Sequence, residues 1–283
     1  MARLSEGPDF VCIGAQKAGT TWLFDNLEVQ EAVWMPPVKE IHFFNSLCPH
    51  EELLGVEDRS RPPPRGRYRA LRRRPSFFVL RWLRRFYQNP HTTDWYYSLF
   101  PREVMGTRIS GDITPAYSTL DGRGVRFARK VLRPGCRVLL LLRNPVQRFW
   151  SSIKMNYRWW EDELPLDAPE RLLRELEHPV HRLRGDYPRM VRLWREAFGE
   201  DFHVLRYDTL VEDPRKLLGQ VGEILGVSLD LGSPRLNQRS NVDPARIQMP
   251  EPLREVLTLR YRDEIRELEE MIPGVTEGWL SDE

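Results

Sequence analysis

Residues 9–27 read Asp-Phe-Val-Cys-Ile-Gly-Ala-Gln-Lys-Ala-Gly-Thr-Thr-Trp-Leu-Phe-Asp-Asn-Leu, and their reading decides the fold. Phe10 to Ile13 form a short apolar run that stops at Gly14, the pattern of a buried strand entering a turn. Beyond the turn, Trp22, Leu23 and Leu27 recur at helical spacing, which predicts a helix packed back on the sheet. Strand, glycine loop and helix N-terminus together make an anion site, because backbone N–H groups and the positive end of the helix dipole converge on one spot. The loop is expected to hold a phosphate.

The spacing separates this loop from a nucleotide-triphosphatase loop, G-x-x-x-x-G-K-[ST]. Gly14 and Gly19 keep the gap, but Thr20 stands where the Lys belongs, and Lys17 has moved inside the loop. Further along, Arg137 to Arg143 enclose a continuous apolar run typical of a strand covered on both faces. The run ends in Arg143-Asn144-Pro145, with Asn placed as N-cap and Pro as the first helical residue. Arg148 and Ser151 then share a helix face. A triphosphatase would need an acid at that strand end to hold magnesium, where this chain has Arg143.

Several stretches carry a family resemblance. Gln-Lys-Ala-Gly-Thr-Thr-Trp (16–22) resembles the 5′-phosphosulfate loop of sulfotransferases that use 3′-phosphoadenosine 5′-phosphosulfate (PAPS). Arg143-x-Pro-x-x-Arg148-x-x-Ser151 resembles their 3′-phosphate motif, in which the first Arg and the Ser contact the phosphate. Guanidinium and hydroxyl suit a terminal phosphate. A third segment, Lys39-Glu40-Ile41-His42-Phe43-Phe44, resembles the K-E-x-H-F-F segment of heparan-sulfate-type sulfotransferases, in which the glutamate is the presumed base. On an extended segment Glu40 and His42 would share one face, and the adjacent aromatic pair would exclude water, a means of raising the carboxylate pKa.

Asp112-Ile113-Thr114-Pro115-Ala116-Tyr117 ends a predicted strand and resembles the family's E-K-T-P-A-Y stretch, with Ile113 departing from the Lys of the glycan enzymes. Asp112 either positions an acceptor or caps the following turn. Tyr207 to Pro214, Tyr-Asp-Thr-Leu-Val-Glu-Asp-Pro, is similar to the family's Y-E-D-L-x-x-D-P pattern and is read as fold-building. Helices are expected at 77–87, 124–132, in two stretches within 165–199, from Pro214 to Gly226, and at 250–271; strands are expected after Arg108 and at 202–207.

The resemblance implies an α/β, P-loop-like domain with a central, mostly parallel sheet flanked by helices, spanning 1–283 as one unit. A basic insertion occupies about 51–93 and a C-terminal helical or lid part about 237–283. Implied cofactor contacts are Lys17, Ala18, Gly19, Thr20, Thr21, Trp22, Arg143, Ser151 and Arg239. Trp22 either stacks on adenine or packs the core, and Arg239 is the lid residue. Lys17, Glu40 and His42 are the implied catalytic residues, with Glu40, His42 and Asp112 on the acceptor. PAPS, with PAP as product, is the implied donor, and no metal is required. The acceptor hydroxyl or amine, on a glycan, lipid or small metabolite, is not identified. A nucleotide kinase-like enzyme and a non-enzymatic polyanion- or nucleic-acid-binding module are the alternatives.

Composition agrees with one large domain of 283 residues. Cysteines at 12, 48 and 136, an odd count without close spacing, suit a reducing compartment. The expected location is the cytoplasm, since no run of 18 apolar residues and no signal core occur, although Golgi relatives carry an anchor ahead of such a domain. Net charge is +2, yet residues 59–93 hold eleven Arg and no acid. That segment is either a solvated basic face or a recruiting surface for an anionic glycan or membrane, with no nucleic acid expected.

Overall fold

The computed structural model describes residues 7–47, 76–88, 92–160, 163–238 and 247–280. Arg239, Cys48 and residues 51–75 of the basic insertion lie outside the described residues. Five strands build the sheet: β1 (Phe10–Gly14), β2 (Val33–Trp34), β3 (Ile109–Ile113), β4 (Arg137–Leu142) and β5 (Phe202–Arg206). Their order is β2-β3-β1-β4-β5, and each neighbouring pair is parallel. Parallel neighbours require crossovers, and helices supply them, so both faces are covered. The α/β expectation therefore holds.

Burial follows from this covering. Phe10 to Ile13 and Val138 to Leu142 are fully buried, each large aliphatic contributing roughly 1.5–3 kcal/mol. Gly111 is required beside β1, because a Cβ there would sit 2.0 Å from the Phe10 ring. At the opposite rim from the strand C-termini, Asp9 receives the Ser110 N–H at 2.8 Å and the guanidinium groups of Arg102 and Arg133. Arg137 and Asp201 pair at the starts of β4 and β5.

The helices largely occupy their predicted places. The first, α1 (Thr20–Leu27), follows the loop directly; α2 (Phe77–Gln88) is the amphipathic basic helix, leading into α3 (Thr93–Ser98) and α4 (Arg102–Met105). After β3 come a 3₁₀ turn, Pro115–Thr119, and α5 (Gly122–Val131). Asn144 caps α6 (Pro145–Trp160) through its side-chain oxygen, which accepts from the Val146 N–H at 3.0 Å. Residues 165–199 form three helices rather than the expected two: α7 (Pro169–Leu176), α8 (Pro179–Gly185) and α9 (Tyr187–Phe198). Pro179 and Pro188 each open a new helix, and His178 and Asp186 cap them. After α10 (Tyr207–Glu212), α11 (Pro214–Leu225) starts on the Asp213 cap and stops at Gly226 in the left-handed region; α12 (Glu251–Met271) follows.

Cys12 and Cys136 are free and buried. Burial pushes the Cys12 thiol up to about 12 and the Cys136 thiol upward as well, which makes both inert packing groups. Among the described residues no helix is long and apolar enough to cross a membrane.

Candidate active site

The C-terminal ends of all five strands deliver the candidate residues to one rim, as open parallel sheets do. β1 leads into the loop 15–19, β2 toward Glu40 and His42, β3 to Thr114 and Tyr117, β4 to Arg143 and β5 to Tyr207. The loop owes its shape to two left-handed residues, Lys17 at φ +70° and Gly19 at φ +88°. Gly19 has no substitute: a Cβ would meet Leu210 at 2.7 Å in a conformation side chains rarely adopt. A non-glycine residue held at positive φ is a strained position of the kind that clusters at functional sites. The Ala18 N–H is spent on Ala15 O at 3.1 Å, which removes it from the donors expected at 18–21. The first turn of α1 still presents N–H groups that lack a carbonyl four residues back.

Lys17 lies at the centre of a basin of cations. Burial first, then the charges of Arg158, Arg143, Lys154 and Lys39, depress its pKa to about 8. Its Nζ sits 3.5 Å from Met155 Sδ. Arg143 reaches back from the end of β4, donating to Lys17 O at 3.0 Å while its guanidinium stacks 4.5 Å above the Tyr207 ring. Tyr187 fixes the Arg143 carbonyl by an O–H bond of 2.8 Å. Burial lowers the Arg143 pKa, and its Nε has no hydrogen-bond partner among the described residues. Ser151 is half-buried one turn beyond Arg148. Lys154 and Arg158 escaped the sequence reading, although they continue the face of Ser151 at helical spacing, at i+3 and i+7.

Glu40 and His42 do meet, but by a different route from the expected extended segment. His42 adopts φ +59°, and this left-handed turn brings its Nε2 within 3.3 Å of Glu40 Oε2, while Lys39 Nζ lies 3.4 Å from Glu40 Oε1. Asn45 holds the other ring nitrogen of His42 at 3.2 Å. Phe43 and Phe44 face the core: Phe43 stacks on Tyr96 with centroids 4.5 Å apart, and Phe44 meets Tyr117 edge-on at 5.0 Å. They anchor the segment instead of shielding the carboxylate.

Asp112 is fully enclosed behind that segment. Its carboxylate accepts from Thr114 Oγ1 at 2.7 Å, Tyr117 Oη at 2.7 Å and Tyr96 Oη at 3.0 Å. Thr114 and Tyr117 in turn accept the backbone N–H groups of Ile41, at 3.1 Å, and Phe43, at 3.0 Å. Of the two expected roles, acceptor contact and turn cap, the geometry matches neither: with 1% exposure and three bonded hydroxyls, Asp112 holds the backbone on either side of His42. Burial raises its pKa to about 6 against the lowering effect of the three hydroxyls, and the nearby Glu40 charge adds to the rise.

Trp22 is likewise enclosed, 4% exposed, with its indole N–H donating to Leu236 O at 3.0 Å. It packs the core and ties the turn Pro234–Asn237 to α1, so adenine stacking is not its position here.

The comparisons with known proteins bear on this arrangement. The profile described as "Sulfotransferase family" matches residues 8–230. Among solved structures, a sulfotransferase from Alicyclobacillus acidocaldarius is similar at TM-score 0.62 and 24% identity, over 96% of this chain and 98% of that one. The sulfotransferase domain from the curacin biosynthetic pathway is similar at TM-score 0.53 and 15% identity, over 94% and 98%. A sulfotransferase from Mycobacterium avium gives TM-score 0.53 and 14% identity, over 95% and 77%. At these identities the structures establish the shared fold. No curated protein matches the sequence. The profile spans most of the chain, from β1 to the end of α11 and a little beyond, and it makes the protein a member of the sulfotransferase family.

Proposed function

We propose that this sulfotransferase uses PAPS as donor and moves its sulfuryl group to a hydroxyl or amine of an acceptor. The observation that carries the reading is the basin around Lys17. An ammonium depressed to about 8 by burial and then by four neighbouring cations, beside an Arg143 with a buried unpartnered nitrogen, is costly unless an anion of multiple charge completes it. The phosphates of the donor fit that need. By the family motifs, Gly19, Thr20, Thr21 and Lys17 would hold the 5′-phosphosulfate, and Arg143 with Ser151 the 3′-phosphate.

Bound PAPS supplies a sulfuryl group on a phosphate leaving group. Glu40 takes the proton of the acceptor hydroxyl or amine as its oxygen or nitrogen bonds to sulfur. His42, 3.3 Å from Glu40, orients that carboxylate. The Lys17 ammonium offsets the charge that builds on the phosphate oxygen as its bond to sulfur breaks, the term in such transfers that depends most on a fixed cation. Asp112 acts as a positioning residue for the Glu40 segment.

Calorimetric titration tests the donor assignment. PAP should bind and raise Tm by mass action, adenosine phosphosulfate without the 3′-phosphate should do so much less, and Arg143→Ala should erase the difference. Equal binding of both nucleotides would defeat the proposal.

A further inference from the structure

A second group of cations adjoins the basin around Lys17 at Arg143. Arg148 on α6 is 0% exposed, and its Nε, Nη1 and Nη2 all lack a hydrogen-bond partner among the described residues. Facing it from α8, which packs on α6, are His181 and Arg184. His181 is 2% exposed with Nδ1 unpartnered, and Arg184 has a buried, unpartnered Nε. The three are electrostatically coupled: after burial, Arg148 and Arg184 push the imidazole toward its neutral form, and after burial, Arg148 opposes the charge on Arg184. His181 is held in place by an edge-on contact with Phe149 at 5.2 Å.

Three hydrogen-bonding side chains, two of them guanidinium groups, are thus gathered without an acid among them, Arg148 and His181 enclosed and Arg184 half-buried. Unpartnered buried guanidinium is among the most expensive arrangements in a protein interior, and an oxyanion with several lone pairs is the group that satisfies it, by forked charge-assisted bonds. The cluster adjoins the basin of Lys17 through Arg143, whose charge Arg148 opposes, but none of its three members is among the charges that depress Lys17, which are Arg158, Arg143, Lys154 and Lys39. It is nevertheless adjacent to the acceptor side, because the nearby charge that favours ionised Arg184 is Glu40. Arg184 is half-buried, not enclosed.

We propose that Arg148, Arg184 and His181 form a second oxyanion site that receives an anionic group carried by the acceptor, a carboxylate or a phosphate or sulfate ester, and so sets the acceptor hydroxyl against Glu40. The proposal rests on the sulfotransferase reading for its acceptor, and on the unpartnered guanidinium alone for its anion. It restricts the acceptor class to molecules with both a nucleophilic hydroxyl or amine and a negative charge a short distance away. An uncharged acceptor would leave the cluster unsatisfied, and selection against such acceptors follows from the same cost.

The test has a binding arm and a turnover arm. Inorganic sulfate titrated into PAP-saturated protein should occupy one site that survives Lys17→Ala and is weakened at least tenfold by Arg184→Gln. Arg148→Met should abolish that site and, in sulfate-free buffer, raise Tm, since it removes an unpaired buried charge; a group with an ordinary structural role would lower Tm. Transfer of labelled sulfuryl from PAPS to a panel of hydroxy acids and their methyl esters should favour the acids at least tenfold in kcat/KM, and Arg184→Gln should erase that preference. PAP binding without the sulfate site overturns this inference and leaves the donor assignment standing. A sulfate site with no acid preference means a resident inorganic anion, which overturns the acceptor role. Failure of PAP to bind removes the donor assignment, while sulfate titrated into the free protein still decides the second site.

Discussion

The two sides of the candidate site are held by different means. On the donor side, backbone geometry does most of the positioning: β1 stops at Gly14, two left-handed residues turn the loop, and Arg143 closes it through the Lys17 carbonyl at 3.0 Å. On the acceptor side no strand carries Glu40. Its segment hangs from side chains, with the N–H groups of Ile41 and Phe43 bonded to Thr114 and Tyr117 and both of those bonded to Asp112. A site assembled in this way has a donor half set by the loop backbone and Arg143 and an acceptor half that depends on one buried carboxylate.

The comparison breaks at once if the two halves do not divide the chemistry as argued. Lys17→Ala and Glu40→Gln should each lower turnover by roughly two or more orders of magnitude, with PAP still bound by the Glu40 variant. Near-normal turnover of Glu40→Gln at saturating acceptor would move the base elsewhere.

Removing the carboxylate hub sharpens the contrast. Asp112→Asn leaves three buried hydroxyls with altered partners and should cost about 1–3 kcal/mol of stability, measured by urea unfolding. Turnover should fall while PAP affinity, read by calorimetry, stays put; a parallel loss of PAP affinity would show that the halves are not independent. The same variant has a pH signature. A folded pKa of about 6 above the usual unfolded carboxylate value near 3.9 means the folded state holds the extra proton between those values. Asp112 therefore adds stability as pH falls from about 6 toward 4, and the variant should lose that increment.

The donor half titrates in the opposite region. Lys17 in the free protein has a pKa of about 8, and a bound dianion raises it, so PAP affinity should be flat below pH 8 and decline above it, by at most about tenfold per pH unit. Lys17→Met should flatten the alkaline limb. An unchanged limb would mean that Lys17 does not face the phosphates.

The smallest effect concerns Trp22. Trp22→Phe deletes the 3.0 Å bond to Leu236 O and should cost about 1 kcal/mol, seen as a modest drop in Tm, with PAP affinity retained. Loss of PAP affinity would restore the adenine-stacking role.

This asymmetry also explains what was legible in the sequence. The loop, β4, the Asn144 cap and α6 were readable because each is a local pattern of period, cap and glycine within a dozen residues. The role of Asp112 was not, because it depends on hydroxyls from Tyr96 and Tyr117 and reaches Ile41 some 70 residues away in the chain. His42 defeated the extended reading because no glycine marks its positive φ. Lys154 and Arg158 were within reach of helical periodicity from Ser151. Arg184 and His181 were not, since only the packing of α8 on α6 sets them against Arg148. The division of 165–199 into three helices was signalled by Pro179 and Pro188, whose stop-and-start meaning a reading by Leu and Arg content passes over.

The Asp9 rim carries a consequence for engineering. A parallel sheet has polarity, and here the ion pairs of Asp9 with Arg102 and Arg133, and of Arg137 with Asp201, fasten the end from which the strands depart, a full strand length from Lys17 and Arg143. Mutational tolerance should divide along the same axis. Changes at that rim alter how long the protein lasts, changes at the opposite rim alter what it does, and a stabilised scaffold for acceptor redesign can be sought at the first without disturbing the second.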